Sequence, residues 1–374
     1  MVNKQKIYEG KTDYAVAPGE TIKENLEAIG MTQSDLSIRL GMSAKTINEI
    51  IAGKAPITVK TAAGLESVLG IPSAFWLRME ALYRADLARL EEKKKLEEES
   101  ARAKNFPYKD MNCNGWIKAA SDPTERVFLL RSFFKVSDLR HIDNLGYVVN
   151  FRRQLISSAS SPAILAWLQR SENLGREIVT EPYSKKKLLS SLGELRRLTL
   201  TTDDTLREKI KELCASFGVA VTFVEPLPKT SLCGATRWIS PDKALIGLSL
   251  RGKRLDMMWF NLFHEIGHIV CGHKKKEVFL SFNSEKYSLE CGADSEEKNE
   301  KEADAFAQNT LIEPQAYQDF LQGNNFSNSS VVDFAREMEI HPSIVYGRLA
   351  KDGKISWKAA EPHRIKINFV SMGC

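Results

Sequence analysis

The chain is short of histidine, cysteine and long apolar stretches, and each shortage removes a class of protein. Six cysteines occur among 374 residues, at positions 113, 214, 233, 271, 291 and 374, with no close pair among them. That spacing excludes a ribbon of paired zinc ligands and a disulfide-stapled small scaffold, and it implies reduced, structural thiols. Apolar runs such as Val127–Leu130 and Met257–Phe260 fall far short of the roughly 20 residues that span a bilayer. Met1-Val2-Asn3-Lys4-Gln5-Lys6 leads into no apolar segment, so neither a signal peptide nor a membrane partner is expected, and a cytoplasmic location is. Charge of one sign is not in excess either. With 53 Lys and Arg against 48 Asp and Glu, the net charge of +5 permits an anionic partner without demanding one.

What is present reads as a globular chain: 43% hydrophobic and 27% charged residues, in a length that suggests two or three domains. Residues 19–72 form short helical patterns in which Gly30, Gly41, Gly53 and Gly70 fit helix ends or turns. From Pro72 a long helical pattern follows, alternating in charge without a sustained heptad, which reads as a solvated connector. A mostly helical middle runs to about Asp203. Thr205–Phe217 is a helix candidate, "VAVTFVEPLP" and "KALIGLSL" are strand candidates, and "HRIKINFV" looks like a final strand. The expected class is mainly α with a small β-sheet (α+β), in three parts: 1–75, a helical connector and middle region at 76–200, and 201–374.

The densest chemistry lies in "MMWFNLFHEIGHIVCGHKKK", Met257 to Lys276. On a helix, residues four apart share a face, so His264 and His268 can grip a single ion. Glu265 sits beside them, placed to hold and deprotonate a water rather than to bind metal. Trp259, Leu262, Phe263, Ile266, Ile269 and Val270 recur with helical period, so the helix has a buried face; His273, just past it, suits capping its last carbonyls. Zinc needs a third protein ligand. Downstream, "SEEKNEKEADAFAQNTLIEP" carries Glu300 and Asp304 four apart on a second helix, giving Glu300 as ligand and Asp304 as the carboxylate that fixes one histidine's tautomer. Glu296, Glu297 and Glu302 are neighbours in the same acidic run, but Glu302 points roughly opposite, since two residues turn a helix by about 200°.

"LFHEIGH" followed by "EKEADAFAQNTLIEP" resembles the ImmA/IrrE family of metallopeptidases, relatives in motif of thermolysin. The family's Glu-x-x-Ala-Asp/Asn-x-Phe-Ala segment is matched by Glu300, Ala303, Asp304, Phe306 and Ala307. The resemblance implies a thermolysin-like, zincin-type peptidase domain holding zinc, with manganese as the alternative. It also implies an edge strand that pairs with extended substrate. Lys243–Leu250 could serve as that edge or could equally be a core strand. His341, Tyr346 and Arg348, in "EIHPSIVYGRLAKDG", are the candidates for stabilising an oxyanion, with His341 the one carried as catalytic beside Glu265.

At the other end, "TQSDLSIRLGMSAKTINEIIAGK" reads as two short helices joined at Gly41-Met42. Thr32 and Ser43 are the N-caps, and Leu36, Leu40, Met42, Ile47, Ile50 and Ile51 supply buried contacts. That layout is a helix-turn-helix, whose second helix enters the major groove. It resembles the Cro/repressor family, and through "IIAGKAPIT" its HigA-like antitoxin branch. The resemblance places Ala44, Lys45 and Asn48 at base edges of operator DNA and Gln33, Thr46 and Lys54 near phosphates. Between Pro18 and Gly70 stand five Lys/Arg and six Asp/Glu, so phosphate attraction is modest unless charges segregate by face or a homodimer doubles the contacts. "SVVDFAREMEIHPSIVYGRL" has a similar two-helix pattern without a basic face and is expected to pack against the peptidase core.

Two readings follow. One is a DNA-binding regulator whose peptidase domain hydrolyses a protein partner, a toxin or regulator, or the chain itself. The other is a non-catalytic antitoxin or repressor that uses the peptidase fold only to bind a toxin or sensor ligand.

Overall fold

The structure, a computed structural model, describes residues 13–145, 161–228, 230, 232–249, 254–272, 279–282 and 294–367. The chain divides into two compact units, Met1–Glu98 and Glu99–Cys374, so the expected middle region, 76–200, contributes to both.

In the first unit α1 (Pro18–Ile29), α2 (Gln33–Leu40), α3 (Ala44–Ile51) and α4 (Val59–Leu69) precede α5 (Ser73–Ala103). The local chemistry explains the breaks. The Asp35 N–H donates to Thr32 Oγ1 at 3.1 Å and the Thr32 N–H returns a bond to the Asp35 carboxylate at 3.1 Å, a reciprocal cap that starts α2. Gly41, at φ 64°, ends it in a left-handed conformation that other side chains resist. Ser43 then opens α3 by accepting the Thr46 N–H at 3.1 Å. Ile22, Leu26, Leu36, Ile47, Ile50, Ile51 and Leu65 close a core to which Trp76, from the first turns of α5, is added.

The second unit opens with α6 (Tyr108–Cys113), α7 (Pro123–Phe134), α8 (Ser161–Glu177), α9 (Lys185–Arg197) and α10 (Leu206–Ala215). Strands β1 (Val219–Val224), β2 (Leu232–Ser240), β3 (Lys243–Ser249) and β4 (Phe279–Phe282) form one sheet in the order β1-β3-β2-β4. β3 runs parallel to β1 and antiparallel to β2, and β4 is antiparallel to β2. β3 is therefore an interior strand with both backbone edges paired, which removes Lys243–Leu250 as the strand that would add a substrate peptide.

Both faces of the sheet are covered, as the buried run of β1 requires. Val219, Val221, Phe223, Ala244, Ile246 and Leu248 enter one core together with α10 and the helix α11 (Leu255–Val270). The intervening residues meet α8: the hydroxyls of Thr222 and Ser171 lie 2.7 Å apart, and a Cβ on Gly247 would stand 2.4 Å from Ser171 Oγ. The segment read from sequence as a mostly helical middle thus supplies a layer against the sheet.

After the sheet come α12 (Asp294–Leu311), α13 (Pro314–Gln322), α14 (Asn328–Glu337), α15 (Pro342–Lys351) and the short α16 (Trp357–Ala360). Val331, Phe334, Ala335, Ile344, Val345 and Leu349 of α14 and α15 join the main core, as their apolar pattern and lack of a basic face imply. Of the expected final strand, the described residues contain a single bridge, Lys366 to Arg254; Cys291, Cys374 and the strand's last residues lie outside them. Among the described residues no helix is long and apolar enough to cross a membrane.

The amino end of α11 is tied down by charge. Arg364 Nε donates to Asp256 at 2.7 Å, with both side chains more than nine-tenths buried. Removing one partner of such a pair strands the other in low dielectric, at a cost of about 3–5 kcal/mol. Arg364→Ala is expected to lower the urea midpoint of the second unit, followed by tryptophan fluorescence, corresponding to a loss of unfolding free energy of that order. An unchanged midpoint would show that Asp256 finds other company.

Candidate metal centre

α11 is apolar over most of its surface, with Leu255, Trp259, Leu262, Phe263 and Ile266 buried, yet it also buries His264, Glu265 and His268. Ionisable groups so placed need partners. They find them on α12, which runs against α11 at the level of Gly267. A Cβ at that glycine would lie 3.0 Å from Ala303 Cα and 3.3 Å from Ala303 Cβ, so the two backbones approach closely there. Glu300 and Asp304 flank Ala303 on the helix and are thereby carried over the two histidines.

The result is a triangle. His264 Nε2 and His268 Nε2 stand 3.1 Å apart, and Glu300 reaches the first through Oε2 at 3.2 Å and the second through Oε1 at 3.4 Å. One donor atom from each of the three lies within 4.8 Å of the others. Two ligands bound tetrahedrally at about 2.0–2.1 Å from zinc sit about 3.3 Å from each other. The His–His edge of 3.1 Å is close to that figure, as are the two Glu300 contacts made by its separate oxygens, and two imidazole nitrogens meeting at one point suit a shared cation better than each other. The donor set therefore fits a zinc-like divalent ion.

Behind the triangle, His264 Nδ1 and Asp304 Oδ1 are 2.7 Å apart. An Nδ1–H donated to that carboxylate leaves Nε2 as the free lone pair, the tautomer a ligand needs. Burial alone would disfavour a proton on His264, but hydrogen bonds to Asp304 and Glu300, with the charges of Glu265 and Glu300, outweigh it and lift its pKa to about 10. Burial would likewise raise Glu300, yet its hydrogen bonds to His264 and His268 prevail and hold it down to about 2. The cluster thus concentrates negative charge where a cation would sit. Glu300 is also its open side, its side chain 43% exposed against 6% for His264. Glu302 turns away and pairs with Lys298 at 3.8 Å.

Glu265, fully buried, points to the sheet. The Thr236 hydroxyl of β2 donates to Glu265 Oε2 at 2.6 Å, and Gly234, two residues earlier, lies under the other oxygen. Reading the sequence missed both residues. Their same-face spacing on a strand is visible, but their meeting with Glu265 is a tertiary fact.

His341, Tyr346 and Arg348 do not join this cluster. His341 is the N-cap of α15, its Nδ1 accepting the Ser343 N–H at 3.1 Å, and burial pushes its pKa down. The Tyr346 hydroxyl donates to Asn328 at 2.8 Å, and Arg348 bonds Asp352 at 2.7 Å while lying over the Tyr317 ring. The residue types suggested oxyanion donors, but a helix start before Pro342 has its own need for a cap. His273 lies outside the described residues.

In the first unit Ala44, Lys45 and Asn48 share the solvent side of α3, with Gln33 and Lys54 exposed nearby. Thr46 is half-buried and bonds Ser43 at 2.8 Å. Lys45, 85% exposed, stands 3.9 Å from Glu49, one turn on.

Comparison with known proteins places both units. Residues 22–76 match the helix-turn-helix family, and residues 214–349 match the IrrE N-terminal-like domain of the peptidases. A solved structure of a candidate antidote protein of a plasmid maintenance system from Nostoc punctiforme is 30% identical, covering 22% of this chain and 92% of its own, with a TM-score of 0.22. An addiction module antidote protein of a HigA family from Coxiella burnetii is 29% identical, covering 23% of this chain and 94% of its own, with a TM-score of 0.21. No curated protein shows significant similarity to the chain.

Metal analysis of the purified protein is expected to find about one ion per chain, and His264→Ala to abolish it, because three ligands are the minimum of such a site. A metal-free wild type would overturn the assignment. Gly267→Val, which forces α12 away from α11, is expected to weaken metal binding by at least tenfold in competition with a chelator while the first unit still folds.

Proposed function

Because the chain carries a helix-turn-helix domain and an IrrE N-terminal-like peptidase domain, we propose that it is a DNA-binding regulator of the antitoxin or repressor type whose second domain hydrolyses a protein partner. The observation that carries the reading is the triangle of His264, His268 and Glu300 with an intact, buried Glu265 beside it. A divalent ion bound by those three residues, zinc or manganese, supplies a Lewis acid that polarises a peptide carbonyl and acidifies water. The protein's own part is positional and protonic. Asp304 holds His264 in its ligand tautomer through the Nδ1 bond. Glu265 accepts a proton from the attacking water on its carboxylate and returns it to the leaving amide nitrogen.

Three features favour catalysis over a binding role alone. Among the described residues the triangle offers three protein ligands, the number a catalytic zinc site uses, whereas structural zinc sites take four. A structural site also has no use for a general base. Finally, the most exposed member of the triangle is Glu300, so the site opens toward solvent at its carboxylate side.

For the first unit, the reading assigns α3 to the major groove. Asn48 suits adenine and Lys45 suits guanine, with Ala44 one turn before Asn48 able to meet a thymine methyl. Gln33, Thr46 and Lys54 would hold phosphates. With five cationic against six anionic residues from Pro18 to Gly70, one copy has little general attraction for DNA. A homodimer on a two-fold operator would double the contacts. The cleaved or bound partner is a protein, a toxin or regulator encoded nearby.

Co-expression with the neighbouring reading frames tests the enzymatic half. Wild type is expected to cleave a partner in a metal-dependent way, while Glu265→Gln keeps the ion and leaves the partner whole. A partner that binds yet stays intact with wild type would instead support a non-catalytic repressor. For DNA, the double substitution Lys45→Ala and Asn48→Ala is expected to weaken binding to the chain's own upstream region by about 2–6 kcal/mol, from two base contacts of about 1–3 kcal/mol each. Unaltered gel shifts would refute the assigned recognition helix.

A further inference from the structure

The buried carboxylate of Glu265 rests in a socket made by the middle of the sheet. β2 is paired on both sides, with Thr236 opposite Ile246 of β3 and Phe279 of β4, so its backbone cannot shift without breaking two ladders. Residues 234 and 236 of a strand share one face. That face meets α11, and both residues address the same carboxylate. The Thr236 hydroxyl has one proton and two acceptors within reach, Glu265 Oε2 at 2.6 Å and the Glu265 carbonyl at 3.3 Å. The shorter contact lies in the range of a hydroxyl donating to a charged oxygen, so the proton belongs there. A β-branched side chain on a locked strand has little rotational freedom, which fixes the donor in turn. Gly234 provides the room. A Cβ at that position would stand 2.3 Å from Glu265 Oε1 and 3.0 Å from its Cγ and Cδ. Any other residue would push the carboxylate out.

We propose that Thr236 is a positioning residue for Glu265 and that Gly234 is its steric counterpart: together they hold the general base in one orientation, with one oxygen occupied and the other confined, before substrate arrives. The proposal rests on the metallopeptidase reading of the triangle and adds the sheet as the part that aims its base. An unrestrained glutamate would lose rotamer freedom in each turnover, and pre-orientation removes that cost from the barrier.

The test uses the full-length, zinc-loaded protein and acetohydroxamic acid as probe. On chelating the ion the probe's O–H bond breaks, and the proton goes to an acceptor, for which Glu265 is placed. Isothermal titration is expected to show Thr236→Val weakening the probe about tenfold at unchanged zinc stoichiometry, with Thr236→Ser restoring it to within about twofold. Glu265→Gln is expected to weaken it as well, and Thr236→Val to add nothing in that background, the non-additivity of two residues acting as one. Wild-type affinity in Thr236→Val, or the same loss in both backgrounds, overturns the proposal while leaving the metal site standing. Zinc-loaded wild type that fails to bind the probe overturns the metallopeptidase reading and the proposal with it. Thr236→Ala, scored by the same criteria, replaces Thr236→Val if the latter does not fold.

Discussion

An apolar helix carries His264, Glu265 and His268 into an interior where water cannot satisfy them, and the second unit is arranged around that burden. The histidines are met from one side by Glu300 and Asp304 of α12, and Glu265 from the other by Thr236 of β2. Two small residues make both approaches possible. Gly267 lets the helices close on each other, and Gly234 leaves space under the carboxylate. Unpaired, each of these buried groups would cost several kcal/mol. Paired with one another, they form a preorganised cluster whose donor atoms fit a divalent ion.

The surroundings keep that arrangement stiff. Helix α8 covers the sheet face opposite α11, and Arg237 of β2 pairs with Glu172 of α8 at 2.9 Å, so the strand that supports Glu265 is held from behind as well. At the far end of α11, Lys185 donates to the Val270 carbonyl at 2.7 Å, placing a cation at the helix's negative end. The Asp256–Arg364 pair fixes the beginning. A site whose ligand spacing is set to a few tenths of an ångström needs rigid supports on both sides, and here the helix is clamped at both termini and along two faces.

Much of this is legible along the chain because it is periodic and local. His264 and His268 are four apart, as are Glu300 and Asp304, and the apolar residues between them repeat at helical spacing, so two helices with inward-facing ligands follow from sequence. The helix-turn-helix is legible for the same reason: Thr32, Gly41 and Ser43 act on backbone groups within three or four residues of themselves. His341 shows where such reading ends. Its residue type suits an oxyanion donor, but its position one residue before Pro342 made it a helix cap, and local backbone demand took the side chain. Strand β3 is a second example, since its apolar alternation is compatible with an edge or an interior position and only pairing by both β1 and β2 decides between them.

By itself, then, the sequence picked out the candidate ligands His264, His268 and Glu300, the carboxylate of Glu265 beside them and the two-helix element, because helical periodicity, capping chemistry and metal-ligand preference all act over a few residues. Tertiary structure decided what those residues meet. It placed α8 as a layer of the second unit, made β3 interior, and brought Thr236 and Gly234 to Glu265 across some thirty residues of chain. No local rule reaches that far. The partner of a buried carboxylate is whichever polar group the packing of strand on helix delivers to it, and that packing is settled by the shape and apolar area of the whole core.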